Sequence, residues 1–195
     1  MFFLKKAAVK TTDWLVVGGG IKEDDREIYE YGFDKLYSTL FIFSSAIVFG
    51  LLFGMLQLTL VFYLAYFAVR VYAGGIHAET KTRCLIISVG IIIPCLFVIS
   101  FYQVWYTPIV FYGLLFLSVA VLLWLAPVGS KNKMPDEKEQ VVYRRRMIRN
   151  LVVLVVVAIA LILFSIYNFA SAVLTGIVLS AIMTIAGKLK LKIQK

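Results

Sequence analysis

Three stretches without a single Asp, Glu, Lys or Arg, residues 36–69, 85–130 and 151–187, divide the chain, and all of its charge is gathered into the segments between and around them. Each stretch exceeds the roughly 20 apolar residues that one helix needs to cross the hydrocarbon of a bilayer. The flanking segments at 70–83, 131–149 and 188–195 are rich in Lys and Arg. If basic segments stay on the cytoplasmic side, each charge-free block must cross an even number of times. Each block is then a helical pair, which predicts an all-α integral membrane protein with about six short transmembrane helices in three hairpins. In the central block the crossings fall at 85–100 and 109–126, around the aromatic, proline-ended turn Phe101 to Pro108. The last block divides near Tyr167 and Asn168, giving two helices of about 17 residues, close to the minimum for spanning. The first is the tightest, with only Gly50, Gly54, Gln57 and Thr59 to mark a turn, and one long tilted helix or a re-entrant pair would give the same pattern. Gly50 and Gly54 also have the spacing that lets transmembrane helices approach closely.

Ahead of these blocks, Phe2, Phe3, Leu4, Val9, Trp14, Leu15 and Val16 are interspersed with Lys5, Lys6 and Lys10. That mixture predicts an N-terminal interfacial amphipathic helix. Gly18, Gly19 and Gly20 should break it, and without a preceding strand or a Walker lysine they form a joint rather than a phosphate loop. Residues 21–35 read as a mixed-charge, solvated lead-in whose carboxylates make a wet surface rather than a metal site. The start lacks the apolar core and small-residue cleavage site of a signal peptide and is expected to be a cytoplasmic end. The organisation expected is a single membrane domain, 1–195. Its parts are an N-terminal segment (1–35), a hairpin (36–69), a polar loop (70–84), a hairpin (85–130), a basic cytoplasmic loop (131–150), a hairpin (151–187) and a basic tail (188–195).

Composition agrees, at 62% hydrophobic residues and a mean hydropathy of +0.91. The net charge of +9 comes from the later loops, since the first 35 residues are nearly balanced. No nucleic-acid motif accompanies it, so the basic residues are read as membrane-orienting.

Only the segment 70–84 brings chemistry to this apolar chain. It holds the one histidine, His77, and one of two cysteines, Cys84. A thiolate is a much stronger nucleophile than a thiol, and Arg70, His77, Lys81 and Arg83 supply the positive potential that favours it. Cys84 stands where the polar segment runs into the next helix, so backbone N–H groups of a helix N-terminus should stabilise a thiolate and, in principle, an oxyanion. Seven residues along one straight helix span roughly 10.5 Å, too far for a His77–Cys84 hydrogen bond, so His77 must lie off that helix. Gly74 and Gly75 provide the bend. The competing reading is a surface histidine and a packing cysteine. A zinc site from His77, Glu79 and Cys84 lacks a fourth ligand, and no cofactor or metal is expected. Cys95, within an apolar run, should be buried; two cysteines so placed make no disulfide framework.

At Arg70, Tyr72-Ala73-Gly74-Gly75, His77-Ala78 and Cys84, and again at Leu125-Ala126-Pro127 with Asn132-Lys133, the chain resembles the accessory gene regulator B (AgrB) family of Gram-positive quorum-sensing systems. It departs from the family pattern at Gly129, where Asp is frequent, and at Met134-Pro135. The resemblance implies a membrane cysteine endopeptidase that cuts the C-terminal tail from an AgrD-like pro-signal peptide. The acyl group would remain as a thioester, and an internal Cys or Ser would then close a thiolactone or lactone. It gives Cys84 the role of nucleophile and His77 that of general base and later acid. Glu79 is a candidate to orient the imidazole, whereas Ser88 reads as helix packing. Arg70 and Gly75 are candidates for shaping the loop or holding substrate. Lys131, Lys133, Arg144 and Arg145 are candidates for binding substrate or stabilising the loop, and Arg144, Arg145, Arg146 and Arg149 for attracting an acidic precursor tail, although membrane orientation alone accounts for these arginines. The expected setting is the plasma membrane, with the 70–84 and basic loops cytoplasmic, the lipid bilayer and precursor as partners, and a possible homodimer. A non-catalytic peptide exporter or membrane scaffold is the alternative, and the absence of charge inside the apolar blocks counts against an ion-coupled transporter.

Overall fold

The computed structural model describes residues 2–75, 80–129 and 136–193. They form eight helices: α1 (Phe2–Val17), α2 (Arg26–Leu52), α3 (Leu56–Ala73), α4 (Lys81–Ser100), the single turn α5 (Tyr102–Trp105), α6 (Pro108–Leu125), α7 (Glu137–Leu163) and α8 (Tyr167–Ile193). Six of them, α2, α3, α4, α6, α7 and α8, are long and apolar enough to cross a membrane. An apolar chain in lipid must satisfy every backbone N–H and C=O internally, which leaves the helix as the local solution for each charge-free block. The all-α, six-span expectation therefore holds.

Helix ends follow local chemistry. Helix α1 stops at Gly18–Gly20, with Gly19 at φ +70°; it packs against α2, buries Ala8 and Thr12, and leaves Phe3, Trp14 and Val17 exposed. An ion pair joins Arg26 to Asp13, and a second, at 2.9 Å, joins it to Glu23. The first block turns at Phe53–Met55 with Gly54 at φ +66°, a conformation glycine adopts without strain. Helix α4 begins at Thr80, whose Oγ1 accepts from the Arg83 N–H at 3.3 Å, and Thr107 caps α6 in the same way through Val110 N–H, also at 3.3 Å. Two boundaries differ from expectation. The mixed-charge lead-in is helical from Arg26, and the basic segment is helical from Glu137. Alternating charge is compatible with a helix extending past the lipid surface, and Asp136 with Glu139 forms a capping box that starts α7 inside the basic segment.

Helix α8 is the axis of the bundle. Of its span 72% is buried, against 11% for α2, and it packs on α3, α6, α7 and α4. Helices α2 and α3 pack as a direct hairpin, as do α7 and α8, whereas α4 and α6 pack on α8 rather than side by side. Small residues let α8 sit between them. Where it crosses α3, a Cβ on Gly176 would lie 2.8 Å from the Tyr66 backbone nitrogen and 2.9 Å from the Phe62 carbonyl. Ser171, Thr175, Ser180 and Thr184 are buried on α8. The hydroxyls of the last three donate one turn back, to the carbonyls of Ser171, Gly176 and Ser180 at 2.8, 2.9 and 2.8 Å, so these polar groups cost little in an apolar core. Asn150 Nδ2 donates to the Ala68 carbonyl at 2.8 Å and ties α7 to α3.

The Gly176 crossing has no room for a methyl group, so Gly176→Ala is expected to lower unfolding stability in detergent by about 1–3 kcal/mol. Gly90 and Gly113 have open space at the same position, and alanine there should leave the midpoint unchanged or raised.

Candidate functional site

A cavity of about 320 Å³ opens at the end of the bundle where α3 finishes and α4 begins. Its walls come from four helices: Lys35 and Thr39 of α2, Phe62, Tyr63, Tyr66 and Arg70 of α3, Cys84, Ser88 and Ile92 of α4, and Leu179 and Met183 of α8. The helical period explains the grouping. Phe62, Tyr66 and Arg70 recur every four residues on one face of α3, and Cys84, Ser88 and Ile92 do the same on α4. The result is an apolar, aromatic pocket with a few polar groups and a thiol, the composition of small-ligand and peptide sites in general.

Cys84 is half-buried in the first turns of α4. The expectation that nearby backbone N–H groups would hold an oxyanion is not met by the two nearest. The Cys84 N–H donates to the Thr80 carbonyl at 3.0 Å, and the Arg83 N–H is used by the Thr80 cap. Cys84 is the fourth residue of its helix, deep enough to have entered the regular backbone ladder. Cys95 lies three turns further along α4, buried, and neither cysteine is in a disulfide.

Arg70 closes α3. Its guanidinium donates to the Gly74 carbonyl. Helix α3 ends in two glycines at positive φ, Gly74 at +71° and Gly75 at +136°; the fold-back of His77 toward Cys84 expected after them falls outside the described residues. A Cβ on Gly74 would collide with the Val128 carbonyl, and one on Gly75 with the Arg70 guanidinium, while lying 2.6 Å from the Met183 carbonyl. Gly74 and Val128 form an isolated parallel bridge, and the Val128 N–H donates to the Ala73 carbonyl at 2.9 Å. The segment after α6 is thereby fastened to the segment after α3. Arg144 Nη2 donates to the Leu123 carbonyl at 3.1 Å, and Arg146 lies 5.8 Å over the Tyr72 ring. Arg144 and Arg145 are exposed on α7 and do not line the cavity.

The structure thus brings Arg70 and Cys84 into one cavity, with Gly75 against the Arg70 guanidinium. His77, Glu79, Lys131 and Lys133 lie outside the described residues. Lys35, Tyr66, Leu179 and Met183 were not singled out from the sequence, and Ser88, read as packing, lines the cavity. The spacing of Tyr66 to Arg70 and of Cys84 to Ser88 was a usable signal, since residues four apart share a helix face.

Fold and site together define a multi-pass, all-α membrane protein with a cysteine in a helix-walled cavity at one end of the bundle. The chain belongs to the family described as accessory gene regulator B, whose model matches residues 8–185. It is 28% identical over 169 residues to an AgrB-like protein of Clostridium perfringens strain SM101, covering 83% of this chain and 78% of that protein. A second AgrB-like protein, from strain 13 of the same species, is 27% identical over 168 residues, with the same coverage of 83% and 78%. The protein FsrB of Enterococcus faecalis is 28% identical over 154 residues, 79% of this chain and 62% of FsrB. No solved structure shows a significant match. Membership gives the chain a role as a quorum-sensing accessory gene regulator in the membrane.

Because Gly75 combines a positive φ with backbone on one side and a guanidinium on the other, Gly75→Ala should displace Arg70 or the end of α8. The expected outcome is a loss of about 1–3 kcal/mol in unfolding stability, with a changed rate of Cys84 alkylation by a water-soluble iodoacetamide.

Proposed function

We propose that the protein is a membrane-embedded cysteine endopeptidase that removes the C-terminal tail of an AgrD-type pro-signal peptide and prepares the remainder for cyclisation. The observation that carries this reading is Cys84 itself, a half-buried thiol at a helix N-terminus, opening into a cavity of about 320 Å³ beside Arg70 in a chain of the AgrB family. In the proposed sequence His77 takes the Cys84 proton, and the thiolate attacks the scissile carbonyl. The C–N bond breaks, and the departing amine takes the proton back from His77. The acyl group stays on Cys84 as a thioester, which keeps its acyl-transfer potential while the apolar cavity walls limit water. A thiol or hydroxyl within the same peptide then attacks the thioester carbonyl, expels the Cys84 thiolate and closes a thiolactone or lactone.

Orientation belongs to the same proposal. The cavity and the basic segments around it face the cytoplasm, where precursor is made and where Lys and Arg are retained. Arg70 and Gly75 hold the shape of the loop that carries His77, with Glu79 a candidate to orient the imidazole. Lys131, Lys133, Arg144 and Arg145 provide a positive field for an acidic precursor tail.

In vesicles containing the protein and a pro-peptide of this type, Cys84→Ala and His77→Ala should each lower cleavage on the order of 10⁴-fold, while Cys95→Ala retains it. Wild type should also accumulate a hydroxylamine-sensitive peptide adduct on Cys84. Full cleavage by Cys84→Ala would end the peptidase reading. For orientation, a cysteine introduced by Arg145→Cys should react with an impermeant maleimide only from the cytoplasmic side, and labelling from outside would refute that placement.

A further inference from the structure

Acylation and deacylation of a thiol both pass through a tetrahedral species with negative charge on the former carbonyl oxygen, and this inference rests on the proposed peptidase chemistry. The backbone N–H of the nucleophile is the nearest available donor to such an oxygen. Here it is engaged, because Cys84 N–H donates to the Thr80 carbonyl at 3.0 Å. The N–H before it, on Arg83, is held by Thr80 Oγ1 at 3.3 Å. A buried oxyanion without donors is costly, and a side chain facing the cavity can supply one.

Tyr66 has the required placement. It lines the same cavity as Cys84, and Arg70, one turn further along the same face of α3, lines it too. A guanidinium has only donors, so toward Arg70 the phenol can act only as an acceptor through its oxygen, which leaves its own proton for another acceptor. An O–H whose oxygen already accepts from a cation is polarised and donates more strongly. The position is also rigid. Gly176 packs against the Tyr66 backbone nitrogen, Ser180 Oγ donates to the Tyr66 carbonyl at 3.4 Å, and the ring stacks on Phe62 with centroids 6.4 Å apart. The other neutral hydroxyls lining the cavity belong to Tyr63, Thr39 and Ser88. That of Thr39 donates to the Lys35 carbonyl at 3.0 Å, and Ser88 sits one turn further along the nucleophile's own helix.

We propose that the Tyr66 hydroxyl, polarised by Arg70, is the hydrogen-bond donor to the carbonyl oxygen that becomes negative when Cys84 is acylated and again when the thioester is attacked. As the Cys84 sulfur bonds to the carbonyl carbon, the π pair of the C=O moves onto oxygen. Tyr66 donates a hydrogen bond to it without giving up its proton. When the C=O re-forms, the leaving group departs with the pair of the broken bond.

The test compares two reagents on Cys84 in protein held in lipid nanodiscs, with Cys95→Ala as background. A thioester, N-acetylphenylalanine S-benzyl thioester, acylates through an oxyanion; iodoacetamide alkylates by direct displacement and forms none. Tyr66→Phe keeps the ring and removes the hydroxyl. It should slow acylation about 10²-fold and leave alkylation at the wild-type rate. Equal acylation rates in wild type and Tyr66→Phe would overturn the proposal. So would a parallel fall in acylation and alkylation, which marks an effect on the thiolate or on packing, or a selective loss of acylation in Ser88→Ala with none in Tyr66→Phe. A wild-type protein that is alkylated but never acylated would overturn the peptidase reading itself, and this inference with it.

Discussion

Close contact between two backbones, at the crossing of α3 and α8, is the constraint on which the rest of the structure depends. Gly176 permits it, lying against the main chain of Phe62 and Tyr66. In lipid the hydrophobic effect does not press helices together, because the surrounding tails are as apolar as the side chains, so association rests on packing and interhelical hydrogen bonds. The small and hydroxyl-bearing residues of α8 provide both. Ser180 Oγ bonds within its own helix to the Gly176 carbonyl at 2.9 Å and reaches the Tyr66 carbonyl at 3.4 Å. With α8 fixed on α3, α6 and α7 pack around the same axis, and α4 is brought against α8 beside Leu179 and Met183. The cavity exists because α4 stands against α8 and α2 while α3 supplies the opposing aromatic face.

Electrostatics concentrates at one end of this bundle. Arg70, Gly74, Cys84 and Lys35 meet in the cavity, and Arg144 and Arg146 attach the start of α7 to the ends of α6 and α3. The Gly74–Val128 bridge and the Val128 to Ala73 hydrogen bond fasten the segment after α6 to the segment after α3. The chain can place a cation beside a thiol here because the site sits where helices leave the apolar layer; in mid-membrane the same arginine would be expensive.

The number of spans was legible because charge is excluded from hydrocarbon, and the charge-free blocks record that exclusion residue by residue. Helix ends were less legible. Arg26 and Glu137 begin helices inside charged segments, since a helix has no need to stop where the bilayer does, although Asp136 and Glu139 carried a readable start signal. At the site, Arg70 and Cys84 stand out in sequence as polar residues between apolar blocks, and the bend at Gly74 and Gly75 was implied by the His77–Cys84 spacing. Lys35, Leu179 and Met183 did not stand out, because nothing local says that α2 and α8 border α4. Tyr66 was legible only in part, through its four-residue spacing from Arg70. The same holds for the engagement of the Cys84 N–H, which depends on α4 beginning at Thr80 rather than at the cysteine.

The central position of α8 also bears on how the protein comes into being. Cys84 leaves the ribosome and enters the membrane well before Leu179 and Met183 are synthesised, yet those two residues line the cavity in which the thiol sits. Until α8 inserts between α3, α4, α6 and α7, the nascent chain has a cysteine but no complete cavity around it. Assembly order thus separates the two: the thiol is made early and the cavity around it is completed late.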